Sequence, residues 1–205
     1  MSCKAQEQGF NLIELLITMT MAAILLSIAI PSFSHMLKKH RVLSDQRALQ
    51  AELSTARALA IETNTVVTIC AKSASTLTCN GSDDWSEGWL VFIDDGSGTS
   101  SANSANGVLD GTEELIRVYE TKANNSIVLM DEPSGDDVKT LSFNQRGYLY
   151  SINNDEQQTF LFCEPDKDSK YARAIFVELT GRALASRDSD NNDVHNDLSG
   201  GDFSC

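Results

Sequence analysis

The chain has 205 residues, of which 41% are hydrophobic, and carries a formal net charge of −13 at pH 7. The hydrophobic content is enough for a packed core and excludes an intrinsically disordered chain. The negative charge argues against a generally basic nucleic-acid-binding surface, because such surfaces need clustered Lys and Arg. The length fits one anchor segment and one domain of medium size.

The N-terminal region contains an apolar run from Phe10 to Ile30 with a single carboxylate, Glu14. The run has the length that a helix needs to cross the hydrocarbon core of a bilayer. An acid inside a bilayer is costly, so it usually marks a function. Three interpretations are open: a plain signal anchor, a secretory signal peptide cut after Ser27–Ala29, and a leader that is cut before the apolar run.

The residues at the start of this run favour the third interpretation. The segment GFNLIELLI at 9–17 resembles the prepilin peptidase site of type IV pilins and type II secretion pseudopilins. Asn11 stands where those proteins usually have threonine. The resemblance implies cleavage between Gly9 and Phe10, N-methylation of Phe10 by the prepilin peptidase and methylase, and a role for Glu14 in setting the register of the subunit in a filament.

Cleavage at this position explains why an acid is tolerated in the apolar helix. The new amine of Phe10 would be a cation one turn from Glu14, and the two charges can neutralise each other between stacked helices. A carboxylate in the first turn also opposes the positive end of the helix dipole.

The helical pattern continues beyond the apolar run, through residues 31–64. One apolar stripe is formed by Leu49, Leu53, Ala56 and Ala60. Asn64 is a plausible end of the helix. We therefore predict an amphipathic continuation of the helix that packs on the following domain.

From residue 65 onward, short β-branched and aromatic runs alternate with turn residues, which is typical of antiparallel β-structure. Eight such runs are recognisable, at 65–71, 88–94, 114–120, 126–131, 140–144, 147–152, 159–163 and 174–179. Two tryptophans flank an acidic turn; we expect Trp89 in the core and Trp85 to be partly exposed.

Several of these runs, from EGWLVFID through LSFNQRGYL to VELTGRA, resemble the ectodomain of the GspH/FimT family of minor pilins and pseudopilins, which includes FimT and FimU. The resemblance implies an α+β, pilin-like fold in which one long N-terminal helix packs on an antiparallel β-rich domain. The expected organisation is a leader at 1–9, a transmembrane helix at 10–30, its amphipathic continuation at 31–64, and a β-rich periplasmic domain at 65–205.

The family resemblance also implies a function. We expect a minor pilin at or near the tip of a type IV pilus that helps to initiate assembly, with a minor pseudopilin of a type II secretion system as the alternative. The expected partners are other pilins or pseudopilins of the filament, the prepilin peptidase and methylase, and the inner membrane. The chain would cross that membrane once before it enters the pilus or pseudopilus.

Four of the five cysteines lie in the β-rich region, an even number that favours disulfides in an oxidising compartment. Four cysteines permit three pairings. Cys70 ends a predicted strand and Cys79 precedes an Asn-Gly turn, so a hairpin would join them. Cys163 is then left to bind Cys205, which would hold a C-terminal tail that is poor in apolar residues.

The sequence offers no recognisable catalytic or cofactor site. His35, His40 and His195 are scattered, and no nucleophile-elbow motif is present. The segment DSDNND at 188–193 begins like an EF-hand calcium loop but lacks the glycine and the glutamate that such a loop requires, so a solvated tail is the better interpretation. We expect no enzymatic activity, no cofactor and no metal site.

DNA binding is a more distant possibility, because some FimT-type competence proteins contact DNA through a C-terminal GRxR element. Gly181 and Arg182 match this element, but Leu184 replaces its second arginine and Arg187 follows three residues later, next to several acids. Phosphate binding requires several cations. We therefore expect at most a weak contact from Arg182 and Arg187, pairing of Arg182 with local acids, and no nucleic-acid partner.

Overall fold

The computed structural model describes residues 11–96, 105–110, 113–121, 124–132, 139–150 and 157–205. The chain divides into two compact units, Met1–Lys39 and His40–Cys205. The helix α1 spans Leu12–Thr63 and so contributes residues to both units. The predicted cleavage site, Gly9 and Phe10, lies outside the described residues.

Nine strands follow the helix in the part of the chain that the structure describes. In chain order they are β1 (Val67–Ala71), β2 (Trp89–Ile93), β3 (Leu115–Tyr119), β4 (Ser126–Glu132), β5 (Thr140–Phe143), β6 (Leu149–Tyr150), β7 (Gln157–Cys163), β8 (Arg173–Val177) and β9 (Ala183–Ala185). A single 3-10 turn, Ser169–Tyr171, precedes β8.

The strands form two antiparallel sheets. The first has the order β3-β2-β1-β5-β6 and the second has the order β4-β7-β8-β9. Each of the eight predicted runs overlaps one of β1 to β8. The sequence did not indicate β9, because its three residues, ALA, carry neither the β-branched nor the aromatic side chains that identify strands.

The C-terminal half of α1 packs on the β-domain through the apolar stripe that the sequence predicts. Leu49, Leu53, Ala56 and Ala60 are each no more than 1% exposed, and they share one core with residues of both sheets. The helix ends at Thr63, and Asn64 follows with φ of +54°, the left-handed conformation common just past a helix end. The predicted α+β fold with a helix on antiparallel sheets is confirmed.

Both tryptophans belong to this core. Trp89 stacks on Tyr119 with a centroid distance of 4.2 Å, as expected of a core residue, and Trp85 meets Phe160 edge-on at 4.9 Å. The expectation that Trp85 is partly exposed was wrong, since it has no accessible surface. The reason is a backbone hydrogen bond of 2.7 Å from Trp85 N to Ile127 O, which draws the indole towards β4 and into the interior.

Polar side chains of α1 also fasten the helix to the β-domain. Gln46 Nε2 donates to the carbonyl oxygen of Ala174 on β8 at 2.8 Å, and Gln50 Nε2 donates to that of Ala183 on β9 at 3.0 Å. Gln46 is only 3% exposed. Ala174 O also accepts from Ser186 N at 2.9 Å, so the Gln46 bond adds a second donor to a carbonyl group at the helix–sheet interface.

Candidate functional site: the exposed apolar segment

The N-terminal unit presents an unusual amount of apolar surface. Its large apolar side chains are each more than 40% exposed: Leu12, Ile13, Leu15, Leu16, Ile17, Met19, Met21, Ile24, Leu25, Leu26, Ile28, Ile30, Phe33, Met36 and Leu37. Burying one such side chain is worth about 1.5–3 kcal/mol. The segment therefore requires an apolar environment, which a bilayer or a bundle of similar helices can supply.

Length and composition make α1 a candidate membrane span. Among the described residues it is the one helix that is long and apolar enough to cross a bilayer, and none of its most apolar stretch is buried within the protein. An exposed stretch of this kind differs from the core helix of a water-soluble domain, in which one face at least is covered.

Within the apolar segment the hydroxyl groups find partners inside the helix. Thr18 Oγ1 donates to Leu15 O at 2.9 Å, Thr20 Oγ1 to Ile17 O at 2.8 Å, and Ser27 Oγ to Ile24 O at 2.7 Å. Because these bonds use the carbonyl three residues earlier, they remain intact in a medium without water. The hydroxyls thus do not oppose burial in lipid.

Glu14 is the exception in this segment. It lies exposed in the first turn of α1 and is the acid of that turn. Its carboxylate makes no hydrogen bond or ion pair with any residue that the structure describes. An acid among exposed Leu and Ile side chains carries a charge that is costly to move out of water unless a partner neutralises it.

Two disulfides close the β-domain. Cys70 joins Cys79 with a Cα–Cα distance of 5.6 Å, and Cys163 joins Cys205 at 5.8 Å. These are the two pairs that the sequence predicts. The first links β1 to the short loop beyond it, and the second fastens the C-terminal tail to the end of β7, where Phe203 packs against Ala172, Ala174 and Phe176.

In the acidic tail, Asp188 is hydrogen-bonded within the tail, whereas Asp193 pairs with Lys170 at 3.3 Å. Asp188 accepts hydrogen bonds from the backbone N–H groups of Asn191, Asn192 and Asp193 at 2.7 to 3.3 Å. Loss of solvation raises the pKa of Asp188, but these N–H groups outweigh it and hold the pKa below the usual value. Across the described ranges, no group of three or more His, Cys, Asp or Glu is placed to hold a metal ion.

The two arginines that the sequence singled out lie at opposite ends of β9. Arg182 occupies the turn between β8 and β9, Arg187 follows β9, and both are exposed. The guanidinium of Arg182 forms no ion pair with any described residue, and its pairing with local acids stays a prediction. The carboxylate of nearby Glu178 instead accepts a hydrogen bond from Thr180 Oγ1 at 3.0 Å.

A cluster of carboxylates lies at the loop that leads from β2 to β3, and the sequence did not indicate it. Asp94 is 1% exposed, and its Oδ2 accepts from Thr68 Oγ1 and Gly107 N, both at 2.8 Å. Burial raises the pKa of Glu113 to about 7, and the negative charges of Asp94 and Asp110 act in the same direction. A hydrogen bond from Asp110 N lowers this pKa but does not outweigh these effects.

A second buried acid lies between α1 and β4. Asp45 is 3% exposed and accepts a hydrogen bond of 2.7 Å from Asn125 Nδ2. Burial raises the pKa of Asp45, and the Asn125 bond partly offsets this effect. Further along α1, Glu52 pairs with Arg117 of β3 at 3.3 Å. These acids fix the helix against the β-domain rather than forming a reactive site.

An exposed apolar segment with one acid near its start, continued by a helix that packs on an antiparallel β-domain with two disulfides, defines the pilin-like class of proteins. The family model "Type II transport protein GspH" matches residues 45–181, which is most of the chain. The protein therefore belongs to the GspH family of pilin-like subunits.

Solved structures with a similar arrangement include the type IV minor pilin FimU of Pseudomonas aeruginosa in two crystal forms. The first is 19% identical and aligns over 73% of this chain and 91% of that chain, with a TM-score of 0.48. The second is also 19% identical and aligns over 71% and 92%, with a TM-score of 0.46. No curated protein matches the sequence significantly.

Proposed function

We propose that this protein is a minor pilin of a type IV pilus, held in the inner membrane by one helix before it is incorporated at or near the filament tip. The observation that carries the proposal is the exposed apolar segment of α1 with Glu14 in its first turn. The same segment can lie in the bilayer before assembly and in the apolar core of a filament afterwards, because both supply apolar contacts.

The proposed maturation begins with cleavage between Gly9 and Phe10, followed by methylation of the Phe10 amine. Removal of the leader puts a positive charge one turn from Glu14. In the filament, the Glu14 carboxylate of one subunit would meet the terminal amine of a neighbour. Moving each charge out of water would then cost less free energy. The β-domain, with its two disulfides, would lie in the periplasm, where disulfides persist.

In this role the protein acts by assembly and not by catalysis. The large apolar surface of α1 binds other subunits, and the β-domain presents its surface at the filament end. Enzyme chemistry has no support among the described residues, since the buried acids Asp45, Asp94 and Glu52 are held by hydrogen bonds or an ion pair within the fold.

A type II secretion pseudopilin is the second candidate, and the match to the family model named for a type II transport protein favours it. The two functions share the same anchor and fold, and they differ in the machine that the subunit joins. A pilus subunit supports surface filaments and the motility they drive, whereas a pseudopilin supports export of folded proteins.

The test is deletion of the gene and complementation with the full chain. We expect loss of surface pili and of pilus-driven motility on deletion, restored by the wild-type chain, with secretion unchanged. Loss of secretion with normal pili would identify the pseudopilin function instead. If pili and secretion were both unaffected, the assembly function would be wrong.

A further inference from the structure

Two turns of the β-domain meet at the C-terminal end of α1. Arg57 Nε donates to the carbonyl oxygen of Gly147, in the turn between β5 and β6, at 2.8 Å. A Cβ atom on Gly181, in the turn between β8 and β9, would lie 2.1 Å from that same oxygen. The two turns are therefore in direct contact, and both touch the helix.

This contact brings together three arginines that are far apart in the sequence. Arg146 precedes Gly147 and Arg182 follows Gly181. With consecutive Cα atoms 3.8 Å apart, the Cα atoms of Arg146 and Arg182 lie within about 14 Å of each other, and Arg57 lies between them. None of the three guanidinium groups forms an ion pair with a residue in the described part of the chain.

Exposed residues with large apolar side chains lie near these arginines in the fold. Ile61 is 50% exposed, Tyr148 is 50% exposed and Leu179 is 47% exposed. A Cβ on Gly147 would lie 2.7 Å from Ile61 Cδ1, Tyr148 follows Gly147 in the chain, and Leu149 N donates to Leu179 O at 3.0 Å, so the three residues lie near the two turns. We call this surface, Arg57, Arg146 and Arg182 with Ile61, Tyr148 and Leu179, the arginine patch.

The patch carries a local positive charge. Two acids lie beside it, Glu62 on α1 and Glu178 before the β8–β9 turn, so the patch is positive on a chain whose net charge is −13. Arginine together with tyrosine and exposed aliphatic side chains is the composition enriched at the centres of protein interfaces. The guanidinium fork also matches a carboxylate with two parallel hydrogen bonds.

We propose that the arginine patch is the docking site for an acidic segment of a neighbouring filament subunit. This inference rests on the proposed function and names the kind of partner that the β-domain contacts. The occupant carries two or three carboxylates for the guanidinium groups and an apolar side chain that packs on Tyr148. Charge complementarity determines this choice of partner.

A short acidic segment fits the patch better than a nucleic acid does. Affinity for a phosphate backbone grows with the number of cations that neutralise it, and here three arginines stand beside two acids. The field of a chain with net charge −13 also repels a long polyanion. A protein segment needs only local pairing, and it gains from the apolar side chains that a phosphate backbone would leave uncovered.

The test is photo-crosslinking in cells that express the full chain. A photoreactive p-benzoylphenylalanine replaces Tyr148, whose hydrogen bonds to Asn144 use only backbone atoms of Tyr148 and so survive the replacement. We expect an adduct in which mass spectrometry finds a peptide of another filament subunit that contains Asp or Glu. Arg146→Glu combined with Arg182→Glu should lower the yield about tenfold or more, because like charges across an interface repel.

Two controls make the outcome decisive. Arg187→Glu, which reverses an exposed arginine outside the patch, should leave the yield unchanged. The same photoreactive group in place of Leu15, in the apolar segment, reports incorporation into the filament independently of the arginine patch. If the Leu15 probe gives subunit adducts and the Tyr148 probe does not, the docking site is wrong and the proposed function stands. If neither probe gives them, both are wrong.

Two further results would also overturn the docking site. An adduct between the Tyr148 probe and nucleic acid would assign the patch to a polyanion. A subunit adduct whose yield is the same with and without the two charge reversals would show that the arginines do not select the partner.

Discussion

The Nε of Arg57 donates a 2.8 Å hydrogen bond to the carbonyl oxygen of Gly147, and this bond joins the helix to a turn of the first sheet on which a turn of the second sheet packs. Gly147 lies in the turn that links β5 and β6 of the first sheet. Gly181, which packs directly on the same oxygen, lies in the turn that links β8 and β9 of the second sheet. Both glycines have φ near +75°, a conformation that other residues adopt only with strain.

Replacing Arg57 should weaken the fold. Arg57→Met keeps the apolar stem but removes the charged donor, so Gly147 O loses its partner in a partly buried position. We expect the free energy of unfolding to fall by about 1.5–3 kcal/mol. Urea unfolding of the full chain in detergent, followed by the fluorescence of the buried tryptophans, measures this. Arg187→Met, at an exposed arginine, should change it by less than about 0.5 kcal/mol, and equal losses in the two variants would contradict the role of the bond.

The disulfide between Cys163 and Cys205 should stabilise the tail more than the bond between Cys70 and Cys79 stabilises its short loop. The loops close sequence separations of 42 and 9 residues. The chain-entropy model gives about 4 and about 3 kcal/mol for loops of these sizes.

Hydrogen exchange measures where this stabilisation acts. In a Cys163→Ala, Cys205→Ala variant, we expect faster exchange at the amides of Asn196 and Phe203, which are hydrogen-bonded to the tail backbone, with little change in β1 and β2. Slow exchange of those two amides without the disulfide would show that the packing of Phe203 is enough to hold the tail.

The raised pKa of Glu113 should give the protein a stability that falls as pH rises. Its pKa in the folded protein is about 7, above the ordinary value of 4.5, so the folded state binds the proton more tightly than the unfolded state does. Stability from this group is full below about pH 4.5 and is lost as pH rises through 7. Glu113→Gln should flatten this slope between pH 5.5 and 8.5.

Melting temperature measured across that pH range provides the test for Glu113. Asp188 and Asp197, whose pKa values are lowered below the ordinary value of 3.8, add stability that is present above that pH and lost as pH falls below it, so their contribution does not change in this window. Asp45→Asn is the control variant, because Asp45 is another acid whose pKa is raised by burial. An unchanged slope in the Glu113→Gln variant would show that Glu113 does not titrate there.

Glu14→Ala should separate membrane insertion from assembly. Removing the acid leaves an apolar segment without an ionisable side chain, so insertion should be as efficient or more so, since an acid at a bilayer centre costs about 2.5–3.5 kcal/mol. Incorporation into filaments should fall, because the partner of the terminal amine is lost. Immunoblots of sheared filaments and of membranes measure both, with Glu62→Ala on the same helix as the control. Normal incorporation would contradict the register role of Glu14.

Much of the fold follows from local sequence patterns. The stripe from Leu49 to Ala60 has the helical period of a buried face, and the runs that form β1 to β8 carry strand-forming side chains, so both are visible without a structure. The pairing of the cysteines can be inferred because one pair closes a predicted hairpin and the other pair holds the C-terminal tail. These features depend on residues that are near each other in the chain, or on four cysteines that permit only three pairings.

The remaining features depend on contacts between distant residues. The meeting of Arg57, Arg146 and Arg182 arises from two glycine turns in different sheets, and the cluster around Glu113 from a loop that folds over Asp94. The burial of Trp85 follows from one backbone bond to β4. Such contacts leave no periodic pattern in the sequence, because each joins segments whose separation along the chain is set by the topology of the sheets.

The mature N-terminus tests the central claim most directly. A filament subunit with a cleaved leader should begin at Phe10 and carry a methylated amine, which intact-mass and peptide mass spectrometry of the purified membrane form can measure. Gly9→Val should leave the chain uncleaved at this position, which serves as the matched control. The account predicts a single mature form that starts with methyl-Phe10. An N-terminus at Ile30, or an uncleaved chain that still assembles, would contradict it.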